Sequence, residues 1–152
     1  MKPQAEWWAI SVWEPWASAL VDGLKPLENR HWHNAPALQA IARRLPGQRL
    51  VIHASKSNYD MRGFRFIRMK TGRSYPRHEC ALGALIGVVT VSDFVEWHHS
   101  DWYEDGAQAL VVRDGVRFDH PITFTGRQGF MKLGPDTVPE VEAQLRAKGV
   151  AV

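Results

Sequence analysis

The longest apolar stretch of the chain, Ala81 to Val91 (ALGALIGVVTV), constrains the fold more than any other feature. It is far too short to cross a bilayer as a helix, which takes about 20 residues. Its last residues, Val88, Val89, Thr90 and Val91, are β-branched and favour extended backbone. Gly83 and Gly87 suit bulges or the close approach of another backbone better than a helix interior. The stretch is expected to form a long, bent, largely buried strand.

Around it the apolar period changes from segment to segment. In Trp13 to Gly23, Pro15 suits a first helical turn, Trp16, Ala19 and Leu20 recur at helical spacing, and Gly23 suits a left-handed stop. Arg49 to Ala54 (RLVIHA) alternates as a short strand. Ala107 to Val112 and Val116 to Phe118, separated by Arg113-Asp114-Gly115, read as a hairpin closed by Asp-Gly. Pro121 to Phe124 and Gly129 to Leu133 add further strand candidates. Ser57 with Asp60, and Thr137 with Glu140, resemble capping boxes for helices ending at Gly72 and Gly149. Ala35 to Arg44 suits another short helix. Short strands interleaved with short helices, without regular βαβ spacing, predict an α+β sheet or a small mixed β-barrel.

The length of 152 residues suits one domain spanning 1–152, and no linker or repeat divides it. Cys80 is the only cysteine, which excludes an internal disulfide and points to a reducing compartment. With no membrane-length apolar run and no leader pattern at the start, a cytoplasmic location and no membrane partner are expected. The net charge of +3 hides an asymmetry: residues 1–80 carry +7 and residues 81–152 carry −4. A basic surface suits a polyanion such as nucleic acid, although a solvated basic face would give the same count.

Three ionisable groups, Lys25, Glu28 and Arg30, follow the expected helix stop at Gly23. If the segment is extended, Glu28 and Arg30 share a face. Two cations and a carboxylate can hold a phosphate and exchange a proton, or they can be a surface ion-pair cluster worth under about 1 kcal/mol. Five of the seven tryptophans (Trp7, Trp8, Trp13, Trp16 and Trp32) surround this trio. Tryptophan beside Lys and Arg is what unpaired bases stack on, and it is also core bulk; Trp16 and Trp32 are the stacking candidates. His53, with Lys56 three residues on, is a candidate base or ligand donor, or a satisfied core histidine. His31, His33, His98 and His99 lack metal-site spacing, so no metal and no cofactor are expected.

Between Tyr59 and Glu79 lie six Lys+Arg against two acids, with aromatics interleaved. On a helix, Arg62, Arg65 and Arg68 form a drifting ridge able to follow a phosphate backbone.

The stretch ISVWEPWASALVDGLKPLENRHW, with its Gly-x-Lys-x-x-Glu-x-Arg core, resembles the signature of the ASCH family of the PUA-like superfamily. The likeness continues through LVIHASK, ALGALIGVVTVSDF, the Trp-rich loop to DGAQALVV, and ITFTGRQGFMKL, in order. It implies a PUA-like barrel of five or six strands with flanking helices and a cleft on one side. In that cleft members bind RNA or modified nucleosides, and some act as N4-acetylcytidine amidohydrolases or ribonucleases. By the resemblance Gly23 is the turn, Lys25 the cleft lysine, Glu28 the next acidic position and Arg30 the closing cation. His53 and Asp93 match positions at the same cleft. One departure weighs against the amidohydrolase: Glu28 stands where those members carry a nucleophilic threonine. The expectation is therefore a module binding RNA, single-stranded nucleic acid or a nucleoside through Trp16, Lys25, Glu28, Arg30, Trp32, His53, Lys56, Arg62, Arg65 and Arg68. The alternative is a hydrolase on a nucleoside or RNA using Lys25, Glu28 and His53.

Overall fold

The computed structural model describes residues 4–152. In chain order the elements are β1 (Trp8–Glu14), α1 (Trp16–Val21), β2 (Leu27–Arg30), α2 (Pro36–Arg44), β3 (Arg49–Tyr59) and α3 (Met61–Thr71). A 3-10 turn (Arg77–Glu79), β4 (Ala84–Val95), β5 (Gln108–Thr123), β6 (Phe130–Lys132) and α4 (Val138–Ala147) follow. The strands form one six-stranded sheet in the order β2-β5-β4-β3-β1-β6. The β1–β3 pair is parallel and the other pairs are antiparallel.

The expected α+β class and strand number hold, but backbone hydrogen bonds do not close the sheet into a barrel. β2 and β6 are its two ends. A side chain spans the gap instead: Arg30 on β2 donates through Nη2 to the carbonyl of Ser11 on β1.

Apolar side chains pack in two clusters that divide by alternation along the strands. Ile10, Val12, Leu50, Ile52, Leu110 and Phe130 join α1, α2 and Trp32 in one cluster. Ala9, Val51, Phe118, Met131 and Leu133 join α4 in the other. On β4 the alternation slips: Ala84 and Ile86 belong to the first cluster, and so do Val89 and Val91. The register break against β3, where Ile52 pairs with Gly87 and His53 with Leu85, leaves one extra residue on β4 and accounts for the slip, since one extra residue reverses the facing.

Gly87 is a point of close approach, as expected of it. A Cβ there would lie 2.3 Å from the Val116 carbonyl oxygen and 2.8 Å from Val21 Cγ1.

The Asp-Gly hairpin does not form. β5 runs unbroken through Arg113, Asp114 and Gly115, and both halves pair with β4, Val112 with Val91 and Val116 with Val88. Asp114, at φ 52°, supplies a bulge rather than a reversal. Gly115 serves another purpose: a Cβ would sit 2.5 Å from the Val21 carbonyl oxygen, so the glycine makes room for α1.

Two expected caps also move. β3 extends past Ser57 because Tyr59 pairs with Glu14, and α3 is capped by Asp60, whose carboxylate accepts from the Arg62 N–H at 3.1 Å. Thr137 precedes α4 without a side-chain cap bond. The stops at Gly23, Gly72 and Gly149 all take left-handed φ, as expected.

Pro15 has no hydroxyl or carboxylate with which to cap α1, and Glu14 does the work in its place. Its Oε1 accepts from the Ser18 N–H and its Oε2 from the Ser18 hydroxyl, each at 2.7 Å, with no solvent exposure. Burial pushes the Glu14 carboxyl above its usual value, opposed by the bonds from Ser18. The folded state thus holds this proton more tightly than the unfolded chain. Stability from Glu14 rises as pH falls through the raised value toward 4.5 and is withheld at higher pH. Glu14→Gln, which keeps an acceptor for Ser18 N–H without a buried charge, is expected to melt no lower than wild type at pH 8. The gap should narrow toward pH 5 in thermal scans.

Candidate functional site

A cleft of about 1350 Å³ opens where β1, β2 and β3 approach the 101–104 and 123–128 loops. Lys25, Glu28 and Arg30 meet at it. The extended backbone of β2 puts Glu28 and Arg30 on one face, as the spacing predicts. Lys25 is held by its own N–H, bonded to the Ala19 carbonyl at 3.0 Å, directly after the Gly23 turn. Asp22, one residue before that turn, is gripped by Arg117 at 2.9 and 3.0 Å and by the Tyr75 hydroxyl at 2.6 Å.

Lys25 Nζ lies 2.7 Å from Glu28 Oε1, and Arg30 Nε lies 3.0 Å from Glu28 Oε2. Lys25 and Glu28 are each only 7% exposed, so this is a buried, internally compensated cluster and not a surface ion pair. Burial alone would raise the Glu28 carboxyl; Lys25 and Arg30 outweigh it and hold the group below its usual range. The Lys25 ammonium also sits 4.9 Å from the centre of the Trp16 ring.

Trp16 belongs to an aromatic wall. Its ring packs 5.8 Å from Phe66 and 6.4 Å from Trp102, and Phe66 meets Trp102 at 5.1 Å. Trp13, 47% exposed, lies on the cleft as well. Trp32 does not: it is buried against Phe130 and Phe94 in the core.

His53 lines the cleft but does not touch the Lys25–Glu28 pair. Alternation puts it on the face of Val51, while Glu28, opposite Leu110, faces the other cluster. Its Nε2 donates to the Phe124 carbonyl at 3.0 Å and its Nδ1 meets the Ser11 hydroxyl at 2.9 Å. Burial pushes its pKa below 6.5, opposed by the bond to Phe124. Ser11 is the link between the groups, its carbonyl accepting from Arg30 and its hydroxyl lying 2.9 Å from His53 Nδ1.

Lys56 and Arg62 reach the cleft from β3 and the start of α3; Arg65 and Arg68 are exposed on α3 beyond its lining. Asp93 is exposed and away from the cleft, its carboxylate accepting from the Phe94 N–H at 2.8 Å.

The sequence reading did not single out Asn29, Trp102 or Tyr103. Asn29 donates through Nδ2 to the Trp102 carbonyl at 2.9 Å and accepts through Oδ1 from the Glu104 N–H at 3.0 Å, which fixes the loop bearing the aromatics. An amide between Glu28 and Arg30, able to donate and accept at once, is the one local signal of that role. Among the described residues no group of three His, Cys, Asp or Glu is placed to hold a metal, and no helix is long and apolar enough to cross a membrane.

No protein-family model matches the chain, and no curated protein matches it. Solved structures do. A serine-to-alanine variant of an ASCH protein from Zymomonas mobilis aligns over 93% of this chain and 98% of its own, at 18% identity and a TM-score of 0.51. The ASCH protein from the same organism aligns over 90% and 93% at 16% identity, with a TM-score of 0.51. Its tyrosine-to-phenylalanine variant aligns over 90% and 96% at 17% identity, with a TM-score of 0.52. At such identities the likeness speaks to the fold, and it matches the resemblance read from the Gly-x-Lys-x-x-Glu-x-Arg segment: this chain has the ASCH fold.

Proposed function

We propose that the cleft binds RNA or a modified nucleoside, with one base seated at Lys25, Glu28 and Arg30. The observation that carries this reading is a buried carboxylate clasped by two cations beside a wall of tryptophans. Each Glu28 oxygen retains a lone pair beyond its bond to a cation, and Lys25 retains N–H groups beyond the one given to Glu28. A base edge joining an exocyclic amine to a neighbouring carbonyl or ring nitrogen, as in cytosine, complements them. The amine donates to Glu28, and the oxygen accepts from Lys25 or Arg30. Stacking on exposed aromatic faces adds about 1–3 kcal/mol per base. Arg62 stands at the cleft, and Arg65 and Arg68 extend from it along α3, where a strand leaving the cleft would meet them.

A hydrolase acting on the same ligand is the less favoured reading. General-base work needs an unengaged lone pair on a group titrating near neutrality. Glu28 is held low between two cations, and both His53 nitrogens are bonded to protein groups.

Fluorescence anisotropy with single-stranded RNA tests the binding reading. Affinity should fall steeply with salt, and replacing Arg62, Arg65 and Arg68 with Ala should lower the slope of log K against log salt by about 2. An unchanged slope removes the ridge from the account. Undiminished binding by Lys25→Ala removes the cleft.

A further inference from the structure

The two walls of the cleft differ in charge and chemistry. The aromatic wall, with Trp16, Phe66, Trp102 and Tyr103, carries the carboxylates Asp60, Asp101 and Glu104. The other, made by the end of β3, the Gly83 turn and the 123–128 loop, carries Ser55, Ser57, Thr123 and Thr125 with Lys56 and Arg127, and no acid. Of the five Lys and Arg lining the cleft, Lys25 and Arg30 pair with Glu28 and Arg62 pairs with Asp60. Among the described residues, Lys56 and Arg127 have no carboxylate partner.

Resting on the reading of the cleft as a nucleoside site, we infer that Lys56 and Arg127 form a subsite for a phosphate attached to the bound nucleoside. Both cations rise from fixed backbone. The aliphatic stem of Lys56 lies along Gly83, where a Cβ would meet Lys56 Cβ at 3.5 Å and Cγ and Cδ at 3.7 Å. The Arg127 carbonyl accepts from the Ser11 hydroxyl at 2.7 Å. Gly126, beside it, is pressed onto His53 so closely that a Cβ would lie 2.3 Å from the ring. A phosphate here displaces no carboxylate, and its charge meets two donors able to make short charge-assisted bonds among neighbouring hydroxyls. At the aromatic wall the same phosphate would have to compete with Asp60 for Arg62 and with Asp101 for Lys70, whereas Lys56 and Arg127 are uncontested, which sets the nucleoside's orientation: base toward Glu28, its own phosphate toward Lys56 and Arg127.

Isothermal titration of the full chain with the four ribonucleosides, their 3′- and 5′-monophosphates and a short oligoribonucleotide tests this at low salt. At least one phosphorylated ligand should bind about tenfold or more tighter than its parent nucleoside. In a Lys56→Ala/Arg127→Ala double variant that ratio should fall to near one, and Lys56→Arg alone should retain it. An advantage already present in a monophosphate identifies a terminal phosphate; one confined to the oligonucleotide identifies a phosphodiester of a strand. Both support the subsite. Equal affinity for phosphorylated and unphosphorylated ligands, or an advantage that survives the double variant, overturns it while leaving the nucleoside reading intact. Absence of binding by every ligand overturns both.

Discussion

Glu28→Ala is expected to destabilise the protein by about 3–5 kcal/mol, because it leaves Lys25 and Arg30 buried without a counter-charge. The effect greatly exceeds that of an exposed ion pair because water is largely kept from all three groups. The pH dependence follows from the depressed carboxyl. Glu28 contributes stability above 4.5, its unfolded value, and that contribution is lost as pH falls through the lower folded value. Chemical denaturation of wild type and Glu28→Ala should therefore show a gap that is full at pH 7 and shrinks as the pH drops below 4.5. A gap under about 1 kcal/mol at pH 7 would show that the triad is solvated after all. Ligand binding should be lost with Glu28, since its free lone pairs face the proposed base.

Gly115→Ala is expected to cost about 2–3 kcal/mol, as an overpacking that no rotamer change can relieve. The new methyl would fall 2.5 Å from the Val21 carbonyl oxygen and 2.8 Å from that of Leu20, both backbone atoms. Helix α1 has to move outward. It carries Trp16, and the Gly23 turn after it aims Lys25, so a change well away from the cleft should weaken ligand binding as well as stability. A melting temperature within a degree of wild type would show that α1 is not seated against β5 as described. Gly87, whose Cβ would clash with Val116 and Val21, lines the same notch from β4.

The features legible in the sequence are those set by local chemistry. The β-branched tail of Ala81 to Val91 predicts β4, and Gly23, Gly72 and Gly149 stop helices because a positive φ is a property of one residue. The Lys25–Glu28–Arg30 trio is legible because its three groups fall within six residues, Glu28 and Arg30 on one face of β2 and Lys25 placed by the turn just before it. What failed depended on distant partners. Asp114-Gly115 fits a tight turn and a bulge equally well, and only pairing of both flanks with β4 selects the bulge. Ser57 looks like a cap until Tyr59 is paired with Glu14. Whether a tryptophan is platform or core is likewise a tertiary matter. Trp16 and Trp32 flank the same trio in sequence, yet one lines the cleft and the other fills the space between Phe94 and Phe130. Trp102 reaches the site across 73 residues through Asn29, a link no spacing rule contains.

Occupation of this cleft by a base can be followed through the seven tryptophan indole N–H signals by NMR during titration with a ribonucleotide or short single-stranded RNA. The Trp13, Trp16 and Trp102 signals are expected to shift together and saturably, while those of the buried Trp7 and Trp32 stay in place. Perturbation of the exposed Trp97 alone, or no saturable shift at any cleft tryptophan, would contradict base binding in the cleft.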